Sequence, residues 1–99
     1  MQIMQRGAEI QVLRKEFTIR NKLGLHARAA AKIVQTSNQF QSSICIIKNG
    51  QEADAKSMLG ILTLSCPQGT RIEVTAEGED AAEALAALAV LIDNKFGEE

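Results

Sequence analysis

The sequence predicts an α+β fold, an open-faced β-sandwich with the element order βαββαβα, in which a mostly antiparallel four-stranded sheet carries three helices on one face. Short segments with the two-residue alternation of strands are separated by segments with the three- and four-residue spacing of amphipathic helices. One Asn-Gly pair adds a hairpin. At 99 residues and 45% apolar composition, the chain is expected to form one domain with one modest core.

The first strand and the first helix are separated by a polar loop. Phe17-Thr18-Ile19 alternates as a strand does, and residues 21–24 have the polar and glycine content of a loop. From Ala27 onward the pattern is helical, and Asn38 is typical of a helix end. The residues expected to face the core form one stripe along this helix: Ala30, Ile33, Val34 and Ser37.

A β-hairpin is predicted next. Two strand-like segments, residues 43–47 and 52–55, flank the Asn49-Gly50 pair. This pair is the strongest short hairpin signal because both of its residues tolerate positive φ. The alternation leaves open which of two pairs in the first of these strands faces the core: Ile44 with Ile46, or Cys45 with Ile47.

The second helix is expected to be short, covering roughly residues 58–64. Ser57 is well placed as its N-cap, although Gly60 at the third helical position excludes a capping box. Residues 66–69, which read Cys-Pro-Gln-Gly, end this helix.

The last strand and the last helix follow in the remaining chain. Residues 71–76 alternate as a strand, and Asp80 is expected to be the N-cap of the helix, with Glu83 three residues later as in a capping box. Gly97 is expected to close the helix. Its predicted apolar stripe comprises Leu85, Leu88, Ala89, Ile92 and Phe96.

Composition argues against several function classes. No basic run interleaves with aromatic residues, and the chain has only three aromatics, so nucleic acid is not an expected partner. No apolar stretch approaches the roughly 20 residues of a membrane span, and residues 1–13 are unlike a signal peptide, so a cytoplasmic protein is expected. Cys45 and Cys66 lack Cys-x-x-Cys spacing and a second histidine, so we expect two reduced thiols rather than a zinc site.

Charge is distributed unevenly along the chain. Residues 1–70 carry nine Lys or Arg and four acids, whereas residues 71–99 carry two and eight. The formal net charge of -1 therefore hides a basic first part and an acidic last part.

The only histidine, His26, lies where the polar loop turns into the first helix. The N–H groups of a first helical turn have no partners within the helix, and the helix dipole adds positive charge there. A phosphate group suits such a position, and Arg28 adds a fixed cation two residues on. A histidine at a helix start is more often an ordinary surface residue, so this pattern alone does not decide the function.

Four segments of the chain match one known family in order, and they are Gly24-Leu25-His26-Ala27-Arg28, Asn49-Gly50, residues 56–64 and residues 72–80. Together they resemble the HPr family, the histidine-containing phosphocarriers of the phosphoenolpyruvate-dependent phosphotransferase system. The resemblance runs in order from about residue 15 to residue 96 and implies an HPr domain over residues 14–99, preceded by an extension of residues 1–13. It also implies that Ile44 and Ile46 face the core.

The resemblance implies a carrier rather than an enzyme, without a cofactor. Phospho-Enzyme I would pass a phosphoryl group to Nδ1 of His26, and a IIA-type domain would then receive it. Arg28 would hold charge on the phosphoryl oxygens, and the N–H groups of Ala27 and Arg28 would complete the cradle. In some members HPr kinase/phosphorylase modifies the serine that matches Ser57. At Ala29 the family most often has proline, so we expect a looser His26 loop with carriage retained.

Partner binding is expected to involve basic and apolar residues near these two motifs. If the motifs meet in space, the cations Lys22, Arg28, Lys32 and Lys56 gather around His26 and favour an acidic partner surface. Met58 and Leu59 are either core residues or an exposed docking patch. A monomer is expected for a shuttle that must present one face to successive partners.

Two other functions compete with that of a carrier. A regulatory HPr-like binding module would act through partner contacts without phosphotransfer. A small catalytic domain would need a further acid or base near His26 and a substrate pocket, neither of which the sequence shows. The sequence leaves open whether a carrier would serve sugar uptake or a nitrogen-related branch.

Overall fold

The computed structural model describes residues 12–98, which form the elements in the predicted order. A 3₁₀ turn, Lys95–Gly97, follows the last helix. The predicted fold class is confirmed. The strands and helices are β1 (Val12–Thr18), α1 (Ala27–Ser37), β2 (Ser43–Lys48), β3 (Gln51–Asp54), α2 (Met58–Leu64), β4 (Arg71–Glu77) and α3 (Ala81–Asp93).

The sheet has the strand order β1-β4-β2-β3, and all three neighbouring pairs are antiparallel. β4 therefore lies between β1 and β2, although β1 is at the other end of the domain in sequence. Val74 is opposite Lys15 on one side and Ile46 on the other. This pairing places the loop that follows β1 beside the loop that precedes β4, which is where the candidate site forms.

One face of the sheet is buried beneath the helices. Ile44 and Ile46 are each 1% exposed, which confirms them as the core pair of β2, whereas Cys45 and Ile47 are partly exposed. Burial of a large apolar side chain contributes about 1.5–3 kcal/mol, so this face is a major source of stability. The other strand residues buried on it are Phe17, Ala53, Ile72, Val74 and Ala76.

β1 begins at Val12, two residues before the expected start of the domain at residue 14. Val12 and Leu13 pair with Glu77 and Ala76 of β4, so the sheet extends into the segment assigned to the extension. The remainder of that extension, residues 1–11, lies outside the described residues.

Three local predictions are confirmed. Asn49 and Gly50 have φ of 51° and 83°, so both residues of the hairpin turn use the left-handed region that a type I′ turn requires. Ser57 caps α2, because its Oγ accepts a hydrogen bond from the Gly60 N–H at 3.0 Å. Asn38 ends α1 as expected.

The predicted capping box at α3 is wrong. Asp80 occupies the N-cap position, but its side chain bonds the loop between α1 and β2 instead of the helix. Its carboxylate accepts hydrogen bonds from the Gln41 N–H at 2.8 Å, from the Ser42 N–H at 2.9 Å and from the Ser42 hydroxyl. Ser42 is 1% exposed, so its polar groups need a protein partner. A long-range need thus overrides the local capping preference.

The end of α3 also differs from the prediction. The helix ends at Asp93, and Phe96 lies in the following 3₁₀ turn with φ of 55° instead of continuing the helical stripe. Its ring is nonetheless buried, at 1% exposure. The turn is needed because it directs this ring into the core and sends the next residues back toward α1.

The state of the two cysteines and the character of the helices relate to two expectations from composition, that of reduced thiols and that of a chain without a membrane span. Cys45 and Cys66 are free thiols, and burial raises the pKa of each, so both are protonated at neutral pH. Within residues 12–98, no helix combines the length and apolar character needed to cross a membrane.

Asp80→Asn is expected to lower the midpoint of thermal unfolding at pH 7. The Ser42 hydroxyl first, and then the Gln41 N–H, lower the pKa of the Asp80 carboxyl in the folded state. This stabilisation is therefore present above the unfolded pKa of about 4 and is lost as pH falls through the lower folded value. Thermal melts from pH 7 to pH 2 should show the two proteins converging in acid. Asp93→Asn, which removes an exposed carboxylate from the same helix, is the control and should show no such convergence.

Candidate functional site

His26 is the N-cap residue of α1. Its backbone is extended, with φ of -78° and ψ of -179°, and its carbonyl accepts the first helical hydrogen bond from the Ala30 N–H at 2.8 Å. Within residues 12–98, the imidazole caps no N–H group of the helix. The first turn contains no acidic residue. The positive end of α1 is therefore next to the imidazole without an internal carboxylate cap.

The loop before His26 is held against the turn that precedes β4. Leu25 donates its N–H to the Cys66 carbonyl at 2.9 Å, and Gly24 lies so close to the same turn that a Cβ atom would be 2.8 Å from Cα of Pro67. The φ of Gly24 is +66°, so glycine is required there for both conformation and space. Asn21 donates its amide to the Gly24 carbonyl at 2.8 Å. None of these bonds involves Ala29. That alanine in place of proline at this position loosens the His26 loop stays a prediction.

An acidic residue that the sequence did not indicate lies next to His26. Nε2 of His26 is 2.5 Å from Oε2 of Glu98, and the side chains are 25% and 14% exposed. The other Glu98 oxygen accepts from the Asn21 amide at 3.1 Å. The His26 hydrogen bond first, and then the Asn21 bond, lower the pKa of the Glu98 carboxyl. No local pattern pointed to Glu98, although an aromatic residue near the chain end was a sign that this end packs back onto the core.

The four cations do not gather around His26 as a group. Lys22 and Arg28 are exposed, and in the sequence they lie four residues before and two residues after His26. Lys32 donates its ammonium to the Phe96 carbonyl at 2.6 Å, which ties α1 to the C-terminal turn. Lys56 donates to the Phe40 carbonyl at 2.9 Å, beyond the far end of the 11-residue α1, which is about 16 Å long. The expected cluster is therefore wrong for Lys56.

The start of α2 presents apolar side chains to solvent. Met58 and Leu59 are 37% and 76% exposed, so they are surface residues and not part of the core. Leu62 beside them is also 37% exposed. Ile61 and Leu64 face the core instead. A cavity of about 600 Å³ lies along this helix, and its walls include Gln51, Glu52, Ser57, Leu59, Gly60, Thr63 and Leu64.

A family model described as the PTS HPr component phosphorylation site matches residues 13–94. This chain belongs to the HPr family. The phosphocarrier protein HPr of Xylella fastidiosa, strain Temecula1, is 48% identical over 88 residues, which are 89% of this chain and 99% of that protein. The family resemblance drawn from the four sequence segments is thereby confirmed.

Solved HPr structures share this fold. A crystal structure of HPr from Thermoanaerobacter tengcongensis has a TM-score of 0.86 at 46% identity and covers 88% of this chain and 98% of that one. A crystal structure described as an HPr dimer from the same organism has a TM-score of 0.71 at 48% identity, covering 83% and 94%. Family membership assigns this chain to the phosphocarriers of the phosphotransferase system.

Gly24→Ala is expected to lower the free energy of unfolding by about 3 kcal/mol, since the new Cβ would collide with backbone atoms at positive φ. Gly69→Ala is the matched control, because Gly69 also has positive φ, +93°, but a Cβ there meets nothing within 4 Å. We expect the control to lose only about 1 kcal/mol. Urea unfolding measures both losses, and equal losses would show that the contact with the Cys66-Pro67 turn does not hold the loop.

Proposed function

We propose that this chain accepts a phosphoryl group from phospho-Enzyme I on Nδ1 of His26 and passes it to a IIA-type domain. The observation that carries the proposal is the position of His26 at the N-cap of α1, with an imidazole that caps none of the described helix N–H groups. In an HPr-family chain, this leaves the helix start available to an anion. The protein would act in the cytoplasm as a carrier and not as an enzyme, and it would need no cofactor.

The helix start and Arg28 supply complementary parts of the phosphoryl cradle. The N–H groups of Ala27 and Arg28 would donate to phosphoryl oxygens, and the exposed Arg28 guanidinium would balance their charge. The His26 side chain is 25% exposed, which suits a group that must be received from one protein and released to another. A deeply enclosed site would hinder that second step.

Docking of Enzyme I and of the IIA-type domain is proposed on two exposed regions, the start of α1 at His26 and the start of α2. Met58 and Leu59 would supply exposed apolar contacts, and Lys22, Lys32 and Lys56 would supply positive charge toward an acidic partner surface. Lys32 and Lys56 keep that charge while their ammonium groups donate to backbone carbonyls. We propose that the carrier is a monomer when it docks.

Ser57 is proposed as a regulatory phosphorylation site for HPr kinase/phosphorylase. Its hydroxyl lies at the start of α2 and borders the same apolar surface as Leu59. A phosphate adds about 1.5 to 2 negative charges, which a helix start tolerates but an acidic partner repels. Modification would therefore weaken docking without unfolding the helix.

Incubation with phosphoenolpyruvate, magnesium and Enzyme I is expected to label the wild-type chain with acid-labile phosphate. His26→Ala should take up no label, because it lacks the acceptor nitrogen, while its circular dichroism spectrum stays that of a folded protein. A second HPr carrier serves as the control for active Enzyme I. A folded wild-type chain that remains unlabelled beside a labelled control would support the regulatory binding module instead.

Ser57→Asp is expected to slow phosphoryl transfer from Enzyme I by about tenfold at low ionic strength, with a smaller effect at high salt. Ser57→Ala is the control for the cap, since it loses the bond to Gly60 at a cost of about 1 kcal/mol but adds no charge. Transfer rates at two salt concentrations and urea unfolding separate the two effects. Equal rates for Ser57→Asp and wild type would contradict the electrostatic part of the proposal.

A further inference from the structure

The C-terminal turn is anchored at three points around the His26 loop. The Phe96 ring is 1% exposed in the core, and the Phe96 carbonyl accepts the Lys32 ammonium at 2.6 Å. Glu98 then reaches both His26 and Asn21. A segment more than 70 residues away in sequence thus supplies the carboxylate that contacts the imidazole.

The Glu98 contact determines which imidazole nitrogen carries the proton. A carboxylate only accepts hydrogen bonds, so Nε2, 2.5 Å from Oε2, must be the donor. In a neutral imidazole one nitrogen carries the proton and the other keeps a lone pair. The lone pair is therefore on Nδ1. The lowered pKa of the Glu98 carboxyl, caused first by the His26 hydrogen bond, keeps the acceptor ionised at neutral pH.

We propose that Glu98 is a positioning residue for phosphoryl transfer, which holds the His26 proton on Nε2 so that Nδ1 is the nucleophile. This inference rests on the proposed carrier function. In the transfer step the Nδ1 lone pair forms the bond to phosphorus while the bond between phosphorus and the donor atom breaks, and that electron pair stays on the donor. The Nε2 proton does not move. The ring gains positive charge, which the adjacent carboxylate balances.

Asn21 holds the carboxylate in place for this role. Its side chain is fully buried, and its Nδ2 donates to the Gly24 carbonyl at 2.8 Å and to Oε1 of Glu98 at 3.1 Å. Because both neighbours are acceptors, the amide orientation is fixed. Oδ1 is left buried without a hydrogen-bond partner among the described residues, which is an unfavourable contribution to the free energy of folding. The same amide thus fixes the loop before His26 and the acid behind it.

Glu98 could also have a competing role, in which its carboxylate pairs with the cation that would otherwise bind the phosphoryl group. Arg28 also attracts Glu98, so the two anions would then compete for one cation. The roles predict opposite effects of removing Glu98. A positioning carboxylate makes transfer slower when it is lost, whereas a competing carboxylate makes it faster.

Glu98→Ala is expected to slow transfer from Enzyme I by about tenfold or more, because without this acceptor the imidazole is free to carry its proton on Nδ1; loss of the carboxylate partner of a metal-bound histidine has effects of about this size. The hydrogen-bonded Nε2–H proton of His26 should be visible by NMR in the wild type and lost in this variant through rapid exchange. Glu98→Gln should retain the proton signal and part of the rate, because its amide oxygen still accepts from Nε2. Glu83→Gln, an exposed acid on α3, is the matched charge control and should behave as wild type.

Transfer by Glu98→Ala that equals or exceeds the wild-type rate would overturn the proposal, and a faster rate would identify the competing role. A wild-type chain that takes no label beside a labelled second carrier would instead overturn the carrier function, and with it any role of Glu98 in transfer. The NMR signal separates these failures, since it reports the His26–Glu98 contact without Enzyme I.

Discussion

The structure depends on the central position of β4 between β1 and β2. Antiparallel pairing on both sides of β4 places residues 12–18 beside residues 71–77, so the first and last strands of the chain are neighbours although they are far apart in sequence. The loops at the same end of these strands are then neighbours, as the Leu25 N–H bond to the Cys66 carbonyl shows. Without that pairing, the loop before His26 would lose its contact with the turn that precedes β4.

The candidate site has a local part and a distant part. The start of α1 and Arg28 follow directly from the chain around His26, and both favour a negative group. Glu98, from the acidic last part of the sequence, places a carboxylate at Nε2 of the same ring. His26 thus has an acid from the last part of the sequence at Nε2 and the cation Arg28 two residues later in the basic first part.

The second motif is separate from this chemistry. Ser57 caps α2, while the neighbouring Lys56 bonds the Phe40 carbonyl near the far end of α1. The exposed Met58 and Leu59 present a surface and not a reactive group. Ser57 therefore contributes a helix cap, whereas Glu98 contacts the imidazole itself.

The amino-acid sequence by itself determined the features that short-range physics controls. The strand and helix order, the Asn49-Gly50 turn and the Ser57 cap each depend on residues within a few positions of one another. Tertiary structure alone decided that Asp80 bonds the loop at Ser42, that Phe96 leaves the helix to enter the core, and that Glu98 contacts His26. Each of these outcomes depends on a contact with a residue on a distant segment. Periodicity and capping preference carry no information about such partners.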